Sequence, residues 1–242
     1  MSKVNNIFSL IWRIWFLLTF VIPYLVTLPF TFILTLNKKF YPVLYFLLHY
    51  ISKGMFYASA IFPKIEKQAK LDSKTQYIFC SNHSSILDVP FMFFISKKPL
   101  SFIGKKSLSK NPIFGYYYRT FNVLVNRKSI KDSYIAFQKA GQQIKKGKNM
   151  VVFPEGGIVK NKQRLSRFKN GLFRLAIEEN ITIIPITFAD NHWIFPASYL
   201  KGKPGTARVC IHKGVSAEGK EVEQLKKEVF NIIDQQLIKY EN

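Results

Sequence analysis

The first 60 residues are far more apolar than the remainder of the chain. They contain no Asp or Glu, and residues 14–37 form an uncharged stretch of 24 residues flanked by Arg13 and Lys38. About 20 apolar residues suffice to cross the hydrocarbon core of a bilayer. Pro23 and Pro29 lie inside the stretch, and each is expected to bend or break a helix. The pattern therefore predicts apolar membrane helices interrupted at the prolines.

A second, shorter apolar run covers residues 40–52, and another follows Lys53 as far as Phe62. Together the segments, rich in Trp, Tyr and Phe, predict a hydrophobic two-helix membrane element over residues 1–65. The first run is longer than the ~7–15 apolar residues of a signal peptide and no small-x-small cleavage site follows, so we expect it to be retained. Insertion into one leaflet, a spanning helix and a soluble helix pair are three interpretations, and the long apolar stretch favours the first two.

From about Ser73 the pattern changes to short apolar runs that alternate with longer helical segments. The predicted strands cover residues 76–80, 100–103, 122–125, 150–153, 182–188 and 206–212. The predicted helices cover residues 86–95, 113–119, 129–146, 168–179 and 222–240. This alternation predicts an α/β fold with a mixed, mainly parallel central sheet flanked by helices. No repeat or long linker occurs, so residues 66–242 are predicted to form one catalytic domain behind the membrane element.

The charge balance predicts an anionic partner. The chain has 36 Lys and Arg against 14 Asp and Glu, a formal net charge of +22, which suits nucleic acid, an anionic bilayer or acidic substrates. Cys80 and Cys210 lie far apart inside apolar runs, so neither a disulfide framework nor a zinc site is indicated. We expect a protein of a reducing compartment, with its catalytic domain on the cytoplasmic face of a membrane and no bound metal.

The stretch SNHSSILDVP, residues 81–90, places a histidine at the end of a predicted strand and an aspartate early in the next helix. Five residues at ~100° each would separate His83 and Asp88 by about 140° on one helix, so they meet only if His83 lies in the preceding turn. A histidine oriented by a carboxylate is equipped to act as a general base. Ser84 and Ser85 lack the G-x-S-x-G context of a nucleophile. The stretch therefore predicts direct deprotonation of a substrate hydroxyl by His83.

A second stretch runs from a predicted strand into Phe153-Pro154-Glu155-Gly156-Gly157. Glycines after a strand allow a ligand to approach the backbone closely. Five cations follow within ten residues: Lys160, Lys162, Arg164, Arg167 and Lys169. Such a loop suits a phosphate monoester. Between the two stretches, Lys105 follows one predicted strand and Arg127 ends another.

These blocks together resemble the glycerolipid acyltransferase family of the 1-acyl-sn-glycerol-3-phosphate acyltransferase type, also called lysophosphatidic acid acyltransferases. The first family motif, NHxxxxD, is similar to Asn82, His83 and Asp88. The second block resembles Lys105, Leu108, Pro112, Gly115 and Arg127. The family commonly also has a hydrophobic two-helix element before its catalytic domain.

The third family motif, FPEGTRS, is matched in part. Residues 153–156 match it, whereas Gly157, Ile158 and Val159 stand where Thr, Arg and Ser are usual. A later Lys-x-Gly and an apolar strand with a central proline are similar to residues 169–171 and 184–186. The resemblance covers residues 76–187 in the family's order and spacing.

Carried over to these positions, the resemblance implies that His83 is the base and Asp88 its orienting acid. The implied substrate-binding residues are Asn82, Lys105, Arg127, Glu155, Gly156, Gly157, Lys160 and Lys169. Two simpler interpretations stay open, namely that Asp88 only caps its helix and that Glu155 is a buried partner for a basic residue. Ile158 replaces the usual arginine, so either Lys160, Lys162, Arg164 or Arg167 substitutes for it or the acceptor lipid differs.

The resemblance implies a membrane-bound enzyme that moves a fatty acyl group from acyl-CoA or acyl carrier protein to the sn-2 hydroxyl of lysophosphatidic acid, giving phosphatidic acid for phospholipid biosynthesis. The acyl thioester is a co-substrate, and no other cofactor is expected. The implied partners are membrane lipids, lysophosphatidic acid and the acyl donor. Nucleic acid is not expected, because no nucleic-acid-binding motif occurs. Two alternatives are acylation of another lyso- or amino-lipid and a non-catalytic membrane lipid-binding protein.

Overall fold

The computed structural model describes residues 3–112, 114–126, 128–159, 164–198 and 200–241. The strands are β1 Ile61–Lys67, β2 Ile78–Ser81, β3 Leu100–Lys105, β4 Val123–Val125, β5 Asn149–Val152, β6 Ile183–Phe188 and β7 Gly205–Ile211. The α-helices are α1 Lys3–Thr35, α2 Tyr41–Ala58, α3 Asp88–Ile95, α4 Gly115–Phe121, α5 Ile130–Lys145, α6 Gly171–Glu178, α7 Asn191–Ile194 and α8 Val222–Glu241.

The strands form one seven-stranded sheet in the order β1-β7-β6-β2-β5-β3-β4. β2 pairs in parallel with β5 and β6, and β3 pairs in parallel with β4 and β5. β7 runs antiparallel to β6, since Ala189 N donates to Arg208 O (3.1 Å) and His212 N donates to Pro185 O (3.0 Å). The predicted mixed, mainly parallel sheet is therefore confirmed. Parallel strands end at one edge of a sheet, which gathers the loops after β2, β3, β4 and β5.

The central strands are apolar because both of their faces are covered. β2, β5 and β6 are buried along their whole length, as expected for strands with helices on both sides. The chain divides into two compact units. The first unit comprises Met1–Ile65, Ser84–Pro99 and Phe188–Val209, and the second comprises Glu66–His83, Leu100–Thr187 and Cys210–Asn242. In the second unit, side chains of α5, α6 and α8 bury the sheet in a continuous apolar core.

The structure corrects the predicted elements in three places. β1 was not predicted, because Pro63 and the alternating charges of IFPKIEK interrupt the apolar pattern of a strand. Its first residue, Ile61, is nevertheless fully buried. α7 was not predicted either, since four residues carry too little periodicity. Pro23 and Pro29 do not break α1, which continues through both. Threonine hydroxyls of α1 bind carbonyls one turn earlier, as in Thr27 Oγ1 to Pro23 O (2.7 Å).

The apolar amino-terminal region consists of two helices, α1 and α2, followed by β1. Trp12 Nε1 donates to Ser59 O (2.9 Å) and Trp15 Nε1 donates to Ala58 O (2.8 Å), which joins α1 to the end of α2. Among the described residues, one helix segment, Asn6–Thr35, is long and apolar enough to cross a bilayer, and 11% of its most apolar window is buried. The exposed apolar surface distinguishes α1 from the core helix of a soluble protein.

A buried histidine lies inside the second unit. His212 Nε2 lies 2.8 Å from Thr187 Oγ1 and His212 Nδ1 lies 3.1 Å from Gln68 Oε1. The amide oxygen of Gln68 can only accept, so Nδ1 carries the proton and Nε2 accepts from the threonine hydroxyl. Burial lowers the pKa of His212 from 6.5 to about 4. His212 is thus a neutral core residue.

We expect the stability of the chain to fall on acidification because of His212. Its pKa is lower in the folded than in the unfolded state, so between about pH 4 and 6.5 the unfolded chain binds more protons. The free energy of unfolding should therefore decrease by about 3 kcal/mol as the pH falls through this window. Urea unfolding in detergent micelles at pH 7.5 and pH 4.5 measures the change. His212→Gln should remove most of it and His192→Gln, at an exposed site, should not; equal pH dependence in both variants would contradict the assignment.

Candidate active site

His83 lies in the loop after β2 and is held in place by its backbone and by its ring. His83 N donates to Glu155 Oε1 (2.7 Å), and His83 O accepts from Val159 N (3.0 Å). The imidazole stacks on Phe153, with ring centroids 4.0 Å apart and an interplanar angle of 17°. Asn82, immediately before it, is buried. His83 therefore lies outside any helix, in the turn that the sequence predicted, with the loop after β5 packed against it.

Glu155 joins three segments of the second unit. One carboxylate oxygen accepts from His83 N, and the other, Oε2, accepts from Ser166 N (2.7 Å). Hydrogen bonds from backbone amides to a carboxylate are charge-assisted and strong. The carboxylate also affects the buried thiol of Cys80, whose pKa is raised by burial and further by the negative charge of Glu155. In this structure the Glu155 carboxylate therefore organises the loops after β2 and β5.

Gly156 lies in the loop after β5, beside the side chain of Lys169. Its φ of +81° belongs to the left-handed region, and a Cβ at this position would lie 2.8 Å from Lys169 Nζ. Lys169 N donates to Pro154 O (2.9 Å), which fixes the backbone of the lysine beside the loop. Gly157 continues the bend and is partly exposed. The arrangement holds an exposed lysine side chain directly against a glycine.

Asp88 is the first residue of α3 and belongs to the first unit. It is fully buried, and its Oδ2 accepts from Ser84 N (2.8 Å) and Ser85 N (2.9 Å). Its Oδ1 accepts from Asn191 Nδ2 (2.7 Å). These partners precede α3 or come from α7, so the carboxylate does more than cap its own helix.

The remaining predicted residues are basic, and the structure describes some of them. Lys105 ends β3 in register with Val125 of β4 and is exposed. Arg127, Lys160 and Lys162 lie outside the described residues. Arg164 binds Asp234 (2.8 Å) and Glu241 (2.9 Å) of α8. These ion pairs direct the guanidinium of Arg164 to α8 in the structure.

Within the second unit the structure brings together His83, Glu155, Gly156 and Lys169 in one cluster of loops. Three contacts, each on a different candidate residue, were not indicated by the sequence: Phe153 on the His83 imidazole, Ser166 on Glu155, and Asn191 on Asp88. Each joins positions distant in sequence or depends on ring orientation, which spacing does not reveal. Among the residues that the structure describes, no cluster of three His, Cys, Asp or Glu could hold a metal ion.

A cavity of about 510 Å³ lies beside this cluster in the second unit. Its walls are mainly apolar and include Val125, Phe137, Phe153 and Leu172, with Lys169 among the few charged residues that line it. Phe153 thus borders the cavity and stacks on His83. A mainly apolar cavity with few polar groups is the usual form of a small-molecule site.

Comparison with known proteins places these features in a family. Residues 63–189, just over half of the chain, match the Acyltransferase family. The chain is 30% identical over 175 residues to a chloroplastic 1-acyl-sn-glycerol-3-phosphate acyltransferase of Arabidopsis thaliana, covering 69% of this chain and 48% of that protein. It is 27% identical over 112 residues to a lyso-ornithine lipid O-acyltransferase of Pseudomonas aeruginosa, covering 46% and 42%. The chain spans about half the length of these curated relatives.

The fold also has a counterpart among solved structures. The 1-acyl-sn-glycerophosphate acyltransferase PlsC from Thermotoga maritima superposes with a TM-score of 0.82 at 20% identity, covering 100% of this chain and 98% of that one. The matched family region contains the loop of His83, Asp88 and the Phe153–Gly157 loop. By its sequence and by the residues gathered at the end of its parallel strands, the chain belongs to the Acyltransferase family.

Proposed function

We propose that the chain transfers a fatty acyl group from acyl-CoA or acyl carrier protein to the sn-2 hydroxyl of 1-acyl-sn-glycerol 3-phosphate, giving phosphatidic acid. The observation that carries this proposal is the fixation of His83. Its backbone is clamped on both sides by the loop after β5, and its ring is stacked on Phe153. A base held in one orientation is what deprotonation of a lipid hydroxyl requires. The names of the relatives support the same reaction.

In the proposed reaction His83 takes the proton of the acceptor hydroxyl while the hydroxyl oxygen attacks the thioester carbonyl. The tetrahedral intermediate collapses, the carbon–sulfur bond breaks, and the leaving thiolate takes the proton from the imidazolium. Asp88 orients the imidazole and stabilises its charged form. General base catalysis of this kind contributes about 10²- to 10⁴-fold in rate. The chemistry needs no nucleophile from Ser84 or Ser85.

Lys169 is the described residue best suited to bind the phosphate of the acceptor. It is exposed, and its ammonium lies where a side chain at position 156 would project, so Gly156 lets the lysine approach the loop closely. We propose that Asn82, Lys105, Gly157, Arg127 and Lys160 complete the substrate site. Glu155 acts there by shaping the loops that carry Gly156 and His83. The apolar cavity beside Phe153 suits a hydrocarbon chain of the substrates.

We further propose that α1 seats the enzyme on a membrane with its catalytic domain on the cytoplasmic side. The support is the exposed apolar surface of α1 and the excess of basic residues, each worth about 1 kcal/mol near an anionic leaflet. Residues 1–65 form the anchoring element in this proposal and residues 66–242 the catalytic domain. A membrane-seated active site meets its lyso-lipid acceptor in the bilayer and its thioester donor in water.

A second candidate acceptor is an amino-acid-containing lyso-lipid. Ile158 occupies the position at which the family usually has an arginine, and Arg164 is bound to α8. One relative is a lyso-ornithine lipid O-acyltransferase. An acceptor without a phosphate monoester would not need the missing arginine, and the same base would deprotonate its hydroxyl.

Acyl transfer by the purified chain across a panel of lyso-acceptors distinguishes these proposals. We expect acylation of lysophosphatidic acid, with His83→Ala reducing kcat about 10²- to 10⁴-fold, because the base is lost. Asp88→Asn should also reduce kcat. Retention of wild-type turnover in His83→Ala would overturn the mechanism. Acylation of lyso-ornithine lipid alone would leave the mechanism in place and change the acceptor.

The loop-organising role of Glu155 is tested by Glu155→Gln. The amide would present an NH₂ group to one of two backbone N–H donors, and the loss of one buried charge-assisted hydrogen bond corresponds to about 10- to 100-fold. We expect kcat to fall by that factor with little change in the KM for lysophosphatidic acid. Glu179→Gln, which removes a carboxylate paired with Lys145 at the surface (2.7 Å), is the matched control. A raised KM with unchanged kcat in Glu155→Gln would instead make Glu155 a substrate ligand.

A further inference from the structure

The carboxylate of Asp88 receives a hydrogen bond from a residue that takes no part in the proposed proton transfer. Asn191 Nδ2 donates to Asp88 Oδ1 at 2.7 Å, and both residues are completely buried in the first unit. The amides of Ser84 and Ser85 bind the other oxygen, Oδ2. The bond from Asn191 fixes the plane of the carboxylate.

Asn191 belongs to a segment with a second contact to the same loop. This segment, which we call the α7 segment, comprises Asp190, α7 and the described residues that follow it as far as Lys201. Phe195 O accepts from Ser85 Oγ (2.7 Å), and Ser85 is itself buried. The α7 segment therefore binds Asp88 through a side chain and the preceding turn through a carbonyl. A displacement of the segment would move both.

The α7 segment is in turn held by helix α1. Arg13 Nη1 donates to three backbone carbonyls of the segment, those of Pro196 (2.9 Å), Ser198 (2.9 Å) and Lys201 (2.8 Å). The guanidinium carbon lies 3.9 Å from the centroid of the Phe195 ring. Arg13 is 7% exposed, although it immediately precedes the 24-residue uncharged stretch. A buried cation is retained only when it is paired or hydrogen-bonded, and here backbone carbonyls supply those bonds.

We propose that Asn191 is a positioning residue for Asp88 and that Arg13 holds Asn191 in place through the α7 segment. Helix α1 is thereby part of the apparatus that orients the acid as well as an apolar anchor. This inference rests on the proposed acyl transfer, in which Asp88 orients His83. It adds that the orientation of Asp88 depends on Asn191 and Arg13, which lie 103 and 75 positions away from it in the sequence.

The first test substitutes Asn191. Asn191→Ala removes the donor, and Asn191→Asp keeps the shape but faces Asp88 with an oxygen. Both should lower kcat about 10- to 100-fold, the range that corresponds to one buried hydrogen bond to a charged group, with KM values within about two-fold of wild type. Asn149→Ala is the matched control, because Asn149 is equally buried and accepts from Tyr77 N (2.9 Å) at the amino end of β5. It should reduce stability without lowering kcat.

A double-mutant cycle separates positioning from general destabilisation. In an Asp88→Asn background Asn191 has no carboxylate to orient, so adding Asn191→Ala should lower the residual kcat less than about three-fold. Independent, multiplicative losses would overturn the inference. If the wild-type chain acylates no acceptor, the proposed function fails. If the wild type is active and Asn191→Ala keeps its kcat, the inference alone fails.

The second test addresses Arg13. Arg13→Gln should lower kcat about ten-fold, since two or more of the carbonyl bonds are lost, while sedimentation with phosphatidylglycerol vesicles stays unchanged. Arg13→Lys retains the charge and should recover part of the kcat. Trp15→Phe is the control, because it removes a hydrogen bond from α1 to Ala58 O without contacting the α7 segment. Loss of vesicle binding with normal kcat in the bound fraction of Arg13→Gln would show that Arg13 serves anchoring only.

Discussion

One carboxylate, that of Glu155, sets the relation between the loops after β2 and β5. Parallel strands bring the two loops to the same edge of the sheet, but strand pairing ends at Cys80 and Val152 and does not reach into the loops. The oxygens of Glu155 take up this task by accepting from the amides of His83 and Ser166. An acceptor-only group with two oxygens can satisfy two such donors at once. The stacking of His83 on Phe153 and the approach of Lys169 to Gly156 both depend on this arrangement.

Much of the fold was predictable because it rests on local and periodic patterns. Buried parallel strands are continuous apolar runs, and the runs at β2, β5 and β6 were located to within two residues. β1 escaped prediction because a proline and alternating charges obscure its pattern. The prolines of α1 were expected to break the helix, but each removes only its own backbone hydrogen bond, and the helix of 33 residues continues through both.

The candidate site was predictable in its residue types and less so in their roles. The spacing of His83 and Asp88 indicated a turn followed by a helix, and the structure has both. The hydrogen bonds from two backbone amides to the Glu155 carboxylate were not predictable. The sequence shows an acidic residue near several basic ones, which suggests an ion pair or a substrate ligand instead. Asn191 could not be found from sequence, because its bond to Asp88 spans 103 residues. Tertiary hydrogen bonds of single polar side chains leave no periodic trace.

The burial of Arg13 has a consequence for how a protein of this kind can be handled. Deleting an apolar amino-terminal helix is a common way to obtain a water-soluble enzyme fragment. Here the deletion would also strip the carbonyls of Pro196, Ser198 and Lys201 of their shared donor. It would further expose the aromatic face of Phe195, on which Trp12 and Phe16 pack. A fragment without α1 would therefore lack the contacts that hold the residues around Phe195, so solubilising the chain with α1 in detergent or lipid preserves more of the structure.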